Sequence, residues 1–321
     1  MKVGTHSYQR LIGPILLIVL LFGAPFFLPV YWIMILSEIL ILGLMAVSFN
    51  LLLGYSGLLS FGQGAFFGLG AYSAALMLQA GYDNIFLILI VGMLVALIVA
   101  VIVGFLSVQL DEIFFAMITL GFGMLLFSMA HNWLAVTGGS DGLPVFALPT
   151  LNFFGTDILF YDPANMYYLI FTVAFFGITL LWFVVHSPFG LILKATRENK
   201  QRVSFIGGNV RTLRIVAFTI SGSFTGLAGV LFCFFNSMAT PEFMHWSFSA
   251  KPVIMAVIGG TGVFLGPLVG AGVFFFLEQI IIKFSDNWMF FLGIALLPIV
   301  LFFPQGVLGT LKSKIFKQET K

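Results

Sequence analysis

Residues 171–235 read FTVAFFGITLLWFVVHSPFGLILKATRENKQRVSFIGGNVRTLRIVAFTISGSFTGLAGVLFCFF, two apolar runs joined by a polar island. The island, ATRENKQRVSFIGGNVRTLR at 195–214, interrupts an otherwise apolar chain. The flanking runs, 166–186 and 215–235, each supply the roughly 20 residues that a helix needs to cross hydrocarbon. Six of the fourteen Lys and Arg residues lie in or beside the island: Lys194, Arg197, Lys200, Arg202, Arg211 and Arg214. Cytoplasmic loops carry the excess of basic residues, so 187–213 is expected to be a cytoplasmic loop.

Composition points the same way. Of 321 residues, 60% are hydrophobic and 8% charged, whereas a soluble domain carries about 25% charge. So few charges cannot cover the surface of a soluble fold, and a mean hydropathy of +1.13 agrees with a polytopic membrane protein. The net charge of +2 says little, because the distribution of charge matters more than its sum. Lone Cys233 has no partner for an intrachain disulfide, and the four histidines are scattered, so no metal site is expected. The basic clusters adjoin apolar runs, which suits lipid headgroups and protein partners; no nucleic acid is expected.

Further apolar runs occupy 11–30, 33–53, 54–80, 85–108 and 113–134, then 252–283 and 288–303. Lys2 and Arg10 precede the first, but no small-residue cleavage pattern follows it, so it reads as a retained span. The N-terminal pair, the island and Lys312, Lys314, Lys317 and Lys321 together hold twelve of the fourteen basic residues. All three regions are expected in the cytoplasm, including the tails 1–10 and 304–321. Six spans fit before the island, while 131–165 has no Lys or Arg and is expected outside. Three runs after the island would leave the C-terminus outside, so 252–283 is expected to split into two shorter elements. The fold expected is all-α: one polytopic helical bundle over 1–321, with eight to ten membrane elements.

Glycine organises the two halves. GYSGLLSFGQGAFFGLGAYSAA at 54–75 and GGTGVFLGPLVGAGVFFF at 259–276 both contain Gly-x-Ser/Thr-Gly, and suggest a weak internal repeat. Glycine-broken segments at matching places in two halves often line a substrate path. On that reading the path candidates are Ser56, Gly57, Ser60, Gln63, Gly259, Thr261 and Gly262. The plainer reading is close helix packing through small residues.

Residues 195–206 are good helix formers ending at Gly207-Gly208, so a short surface helix is expected there, with Ala195, Val203 and Ile206 available for packing. Held between two spans, it is placed to pass a push from a soluble subunit into the membrane, although basic loops also simply meet anionic lipid. No G-x-x-x-x-G-K-[ST] loop occurs, nor any nucleophile, paired-carboxylate or metal constellation, so no catalytic residue is assigned and the chain is not expected to be an enzyme. Glu38 and Glu278 lie within apolar runs, where a charge is costly and suggests function or pairing.

The sequence resembles the permease subunits of branched-chain amino acid ABC importers, and among them the LivM type. The residues carrying the resemblance are Leu53-Gly54-Tyr55-Ser56-Gly57, Ser60 to Phe66, Gly70-Ala71-Tyr72, Phe114 to Met117 with Thr119-Leu120, and Thr137 to Leu143. They continue with Ala195, Arg197-Glu198-Asn199, Ala217-Phe218, Ser221, Gly226 to Gly229, Gly259-Gly260, Gly262 and Gly266-Pro267. Gln109 and Glu112 stand where the family usually has Arg and Gly. The resemblance implies a second homologous permease subunit, two cytoplasmic ATPase subunits that hold ATP and Mg, and an extracytoplasmic solute-binding protein. This chain itself would carry no cofactor. It implies ATPase coupling through Ala195, Arg197, Glu198 and Asn199 with Gly208 as a hinge, leucine, isoleucine and valine as cargo, and a bacterial inner-membrane location. Urea or short amides are the alternative cargo, and an ion-coupled secondary transporter is the alternative class.

Overall fold

The computed structural model describes residues 20–110, 112–153, 156–284, 288–303 and 305–310. The fold is an all-α polytopic membrane bundle with a repeated two-half architecture. The N-terminal tail, residues 11–19 of the run at 11–30 and most of the C-terminal tail lie outside the described residues.

Residues 20–27 are helical, and Pro29 then caps α1, Val30–Asn50, which continues as a π-helical turn, Leu51–Ser56. The turn stops at Gly57, whose φ of +74° is a left-handed conformation that a side chain would disfavour. The chain then returns to begin α2, Gln63–Gln79. The run 54–80 was expected to be one span, yet its first nine residues form this turn and return, and the helix starts only at Gln63. Next come α3, Ile85–Ser107, capped by Asn84 Oδ1 accepting from the Phe86 and Leu87 amides, and α4, Glu112–Asn132. A loop region holds β1, Leu143–Pro144, and the ribbon of β2, Thr150–Phe153, with β3, Thr156–Leu159. Helix α5, Pro163–His186, starts with proline in its first turn and Asp162 as its cap.

The island forms α6, Pro188–Glu198, and α7, Lys200–Phe205. Helix α8, Val210–Asn236, follows; then β4, Met238–Ala239, a 3-10 turn at Pro241–Met244, α9, Trp246–Gly259, α10, Gly266–Ile282, and α11, Trp288–Phe302. The run 252–283 is indeed two elements, broken at Gly260, although the first of them begins six residues early, at Trp246.

Contacts fix the directions of α1, α2, α8 and α9. The end of α1 meets Arg197 of the island, so it lies on the island face. Helix α8 leaves that face, and beyond its far end β4 pairs with β1. Gln79, closing α2, donates to the Pro144 carbonyl on the same far face, but Gln63, opening α2, bonds Ser221 and Thr225 in the middle of α8. Helix α2 therefore runs from mid-bundle to the far face. Helix α9 does the reverse: Ser249 in its first turns accepts from the Gly64 amide, and just past its end Gly260 lies against Gln305 on the island face. Thus α1–α2 and α8–α9 are two units of the same design running in opposite directions, each a long helix, a re-entrant return and a short helix that starts at mid-bundle. Inverted repeats with broken helices meeting at mid-membrane recur in transporters.

Helix α8 is the hub, buried along most of its length. It crosses α2 so closely that a Cβ on Gly70 would lie 1.9 Å from the Gly226 carbonyl oxygen. Only backbone fits at this crossing, and small residues give lipid-embedded helices the contact that hydrophobicity cannot supply there. Phe67, Phe232, Phe243 and Phe248 pack as a ring cluster beside it. On α3, by contrast, Phe86, Ile90, Leu94, Ile98 and Ile102 point outward at four-residue intervals, an apolar face suited to lipid. Among the described residues five helices, counting α1 with its π turn, are long and apolar enough to cross a membrane, and α9 and α10 are shorter apolar helices.

Candidate functional site

The island folds as two helices rather than the single one expected. Asn199, with φ −158° and ψ 100°, ends α6, and its side chain accepts from the Arg202 amide at 3.0 Å to start α7. One asparagine is thus the stop of one helix and the cap of the next, which asparagine does well and a mid-helix residue does not. The chain leaves α7 through Gly207, φ +86°, with the Gly208 amide donating to the Val203 carbonyl at 2.9 Å. The left-handed residue is Gly207, while Gly208 closes the turn.

One side of this unit faces the bundle, where Leu193 and Thr196 are buried; Val203 is buried as well but lines the groove on the opposite side. Arg197 extends inward, its Nη1 donating to the Gly54 carbonyl at 2.5 Å, while the Lys194 ammonium lies 4.9 Å from the Tyr55 ring centroid. Arg211 stacks likewise on Phe105, 4.7 Å from its centroid. The other side is open. Ala195, Glu198, Asn199, Arg202, Val203 and Ile206 line a groove of about 440 Å³. At its edge Phe205 and Ile206 are 86% and 85% exposed, so Ile206, expected to pack inward, projects outward.

The two glycine clusters meet behind this unit. Asn50 Nδ2 donates to the Thr261 carbonyl at 3.4 Å, and a Cβ on Gly54 would lie 2.6 Å from the same oxygen. Of the path candidates, Ser56, Ser60, Gln63 and Gly259 are buried within the chain; Gly57 and Thr261 are half-buried and Gly262 is exposed. Ser60 Oγ accepts from the Gly62 amide. Gln63 joins a buried chain in which Ser48, Thr225, Gln63 and Ser221 are linked at 2.9, 2.8 and 3.3 Å. Ser56 and Thr261 thus sit toward the island face, and Gln63 at mid-bundle.

Two groups escaped the sequence reading. Asn50, 1% exposed, connects the halves, and nothing in an apolar run distinguishes it before the fold is known. Lys251 forms a 2.8 Å ion pair with Glu278, and Glu38 lies within electrostatic reach of both. Here a signal existed: once twelve basic residues are assigned to the island and tails, Lys251 is one of two left over. Among the described residues no group of three or more His, Cys, Asp or Glu side chains converges.

The family described as branched-chain amino acid transport system, permease component, matches residues 31–301. The high-affinity branched-chain amino acid transport system permease protein LivM of Escherichia coli (strain K12) is 29% identical over 287 residues, 83% of this chain and 67% of that protein. LivH of Salmonella typhimurium (strain LT2) is 26% identical over 286 residues, covering 83% and 90%. The autoinducer 2 import system permease protein LsrC of Escherichia coli O9:H4 is 27% identical over 319 residues, covering 92% and 86%. No solved structure matches the chain. With 31–301 matched from the start of α1 to the last turn of α11, the chain belongs to the branched-chain amino acid permease family of ABC-type importers, as a multi-pass membrane permease.

Proposed function

We propose that this chain is the LivM-type membrane subunit of an ATP-driven importer of leucine, isoleucine, valine or other neutral amino acids. An extracytoplasmic binding protein would deliver the cargo, a second homologous permease would complete the passage, and two cytoplasmic ATPase subunits would drive it. ATP and Mg belong to those ATPases. The island then faces the bacterial cytoplasm, together with both chain ends. The observation that carries this reading is the island's outer side, where a groove and an exposed Phe205-Ile206 tip stand beside charged Glu198 and Arg202. Apolar side chains rimmed by charge mark an interaction site, and the groove beside them gives it the concave shape that suits a protein partner. The path candidates Ser56, Gly57, Ser60, Gln63, Gly259, Thr261 and Gly262 are proposed to shape the passage, the buried ones by holding its walls.

The resemblance to LsrC of an autoinducer 2 import system, over more of the chain than the two others named, supports a second cargo reading in which a solute other than an amino acid is carried by the same machinery. The test is purification from the native operon followed by reconstitution into vesicles with binding protein. Two ATPases in the complex and ATP-dependent uptake of radiolabelled leucine support the proposal. Uptake by the chain alone, driven by an ion gradient, overturns it in favour of a secondary transporter. ATP-driven uptake of urea or another solute, but not leucine, replaces the cargo alone.

A further inference from the structure

Arg197 lies in the segment that docks the soluble subunit, yet its charged end is turned away from the groove. We infer that Arg197 is a transmission pin: a positioning residue that ties the island to the π turn of α1, and through Asn50 to the second half, while docking belongs to other side chains. This rests on the ATPase-driven reading above.

Three observations carry it. The Arg197 guanidinium donates to the Gly54 carbonyl at 2.5 Å, inside the six-residue π turn Leu51–Ser56. A long helix ends in unpaired carbonyls with partial negative charge, and π turns are often found at functional sites. A cation bonded there holds more firmly than a neutral donor. Second, the π turn touches the opposite repeat. Asn50, on the last turn before it, donates to the Thr261 carbonyl, and Gly54 leaves no room for a Cβ between Asn50 Oδ1 and that carbonyl, 2.4 and 2.6 Å away. Asn50 Oδ1 is buried and accepts no hydrogen bond from a described residue, so a shift of this junction can gain a bond rather than only lose one. Third, Arg197 is not among the residues lining the groove, whose exposed members Ala195, Glu198, Asn199, Arg202 and Ile206, with Phe205 beside them, are open to a partner. A displacement of α6 therefore pulls the end of α1 directly, and the loop after α9 with it.

The experiment compares the wild-type complex with Arg197→Met, Arg197→Lys, Gly54→Ala and Phe205→Asp, each purified with its partners and reconstituted with binding protein. Subunit stoichiometry, ATP hydrolysis and solute taken up per ATP are measured. The expected result is that Arg197→Met and Gly54→Ala keep both ATPases and hydrolyse ATP, but lose solute per ATP by about 5-fold to 150-fold, the range of ordinary coupling energies. Arg197→Lys, which keeps the charge, recovers part of that ratio, while Phe205→Asp loses the ATPases. Loss of the ATPases in Arg197→Met while Arg197→Lys keeps them would make Arg197 a docking residue and overturn the inference. So would an unchanged ratio in both Arg197→Met and Gly54→Ala. If Arg197→Met does not fold, the ratio in Gly54→Ala and Arg197→Lys decides. A wild-type chain that binds no ATPase overturns the importer reading itself, a result distinct from all of these.

Discussion

Replacing Gln63 with methionine keeps the length and bulk of the side chain and removes its two hydrogen bonds. In the bundle those bonds are Nε2 to Ser221 Oγ at 3.3 Å and Thr225 Oγ1 to Oε1 at 2.8 Å, between α2 and α8 with no solvent exposure at Gln63. Interhelical hydrogen bonds in membranes are worth on average about 0.6 and at most about 1.7 kcal/mol each, so the pair contributes about 1–3 kcal/mol. Thr225 still reaches Ser48 at 2.9 Å, and the Ser221 hydroxyl can turn to its own helix carbonyls, which keeps the loss at that level. Unfolding by increasing SDS fraction in mixed micelles, followed by circular dichroism, measures it. A double-mutant cycle with Thr225→Val should return a coupling of about 0.5–2 kcal/mol. The reasoning fails if Gln63→Met unfolds like wild type yet changes the KM of uptake, because Gln63 would then meet cargo rather than hold α2 against α8.

Other outcomes follow from the same packing. Gly70→Ala would bring a methyl to 1.9 Å from the Gly226 carbonyl oxygen; the obstacle is backbone, so the loss should reach about 3 kcal/mol or more and abolish monodisperse protein in size-exclusion chromatography. Lys251→Met strands Glu278, which is 8% exposed. It should cost about 2–4 kcal/mol, at the low side for a buried pair because Lys251 is partly exposed, and adding Glu278→Gln should restore most of that stability in the same SDS titration. Asn209→Ala removes the bond from the Thr212 amide at 3.1 Å; it should cost about 0.5–2 kcal/mol locally, seen as faster hydrogen exchange in the first turn of α8 and not in its middle.

The charge pattern made the membrane class and the island legible, because both are properties of local composition. The split of the run 252–283 was legible as well, since parity demanded it and Gly259-Gly260 offered a break. What sequence could not supply was the depth at which a helix begins. The run 54–80 is apolar throughout, so nothing in hydropathy marks Gln63 as the start of a helix at mid-bundle. That depth is set by partners more than 150 residues away, Ser221 and Thr225, which no local window includes. The division of α6 from α7 failed to show for a different reason. Asn199 sits among good helix formers, and its capping role depends on φ −158°, an extended conformation that a run of helix-forming residues does not announce.

The inversion of the two halves also explains why the island can matter to the whole bundle. Each repeat sends its long helix to one face and returns to the middle: α1 turns back at the island face, held there by Arg197, and α8 turns back at the far face, held by the pairing of β4 with β1. Both returns end where α2 and α9 touch, the Gly64 amide on Ser249 Oγ at 2.9 Å. A first-turn amide has no partner within its own helix, and in a membrane interior leaving it bare is costly. The bond from Gly64 to Ser249 thus gives each short helix a reason to follow the other. A pull on the α1 return shifts the start of α2, and α9 follows, carrying the loop at Thr261 that Asn50 already holds. The loop and the π turn close a circuit from the island through both repeats, so that neither half can move far without the other.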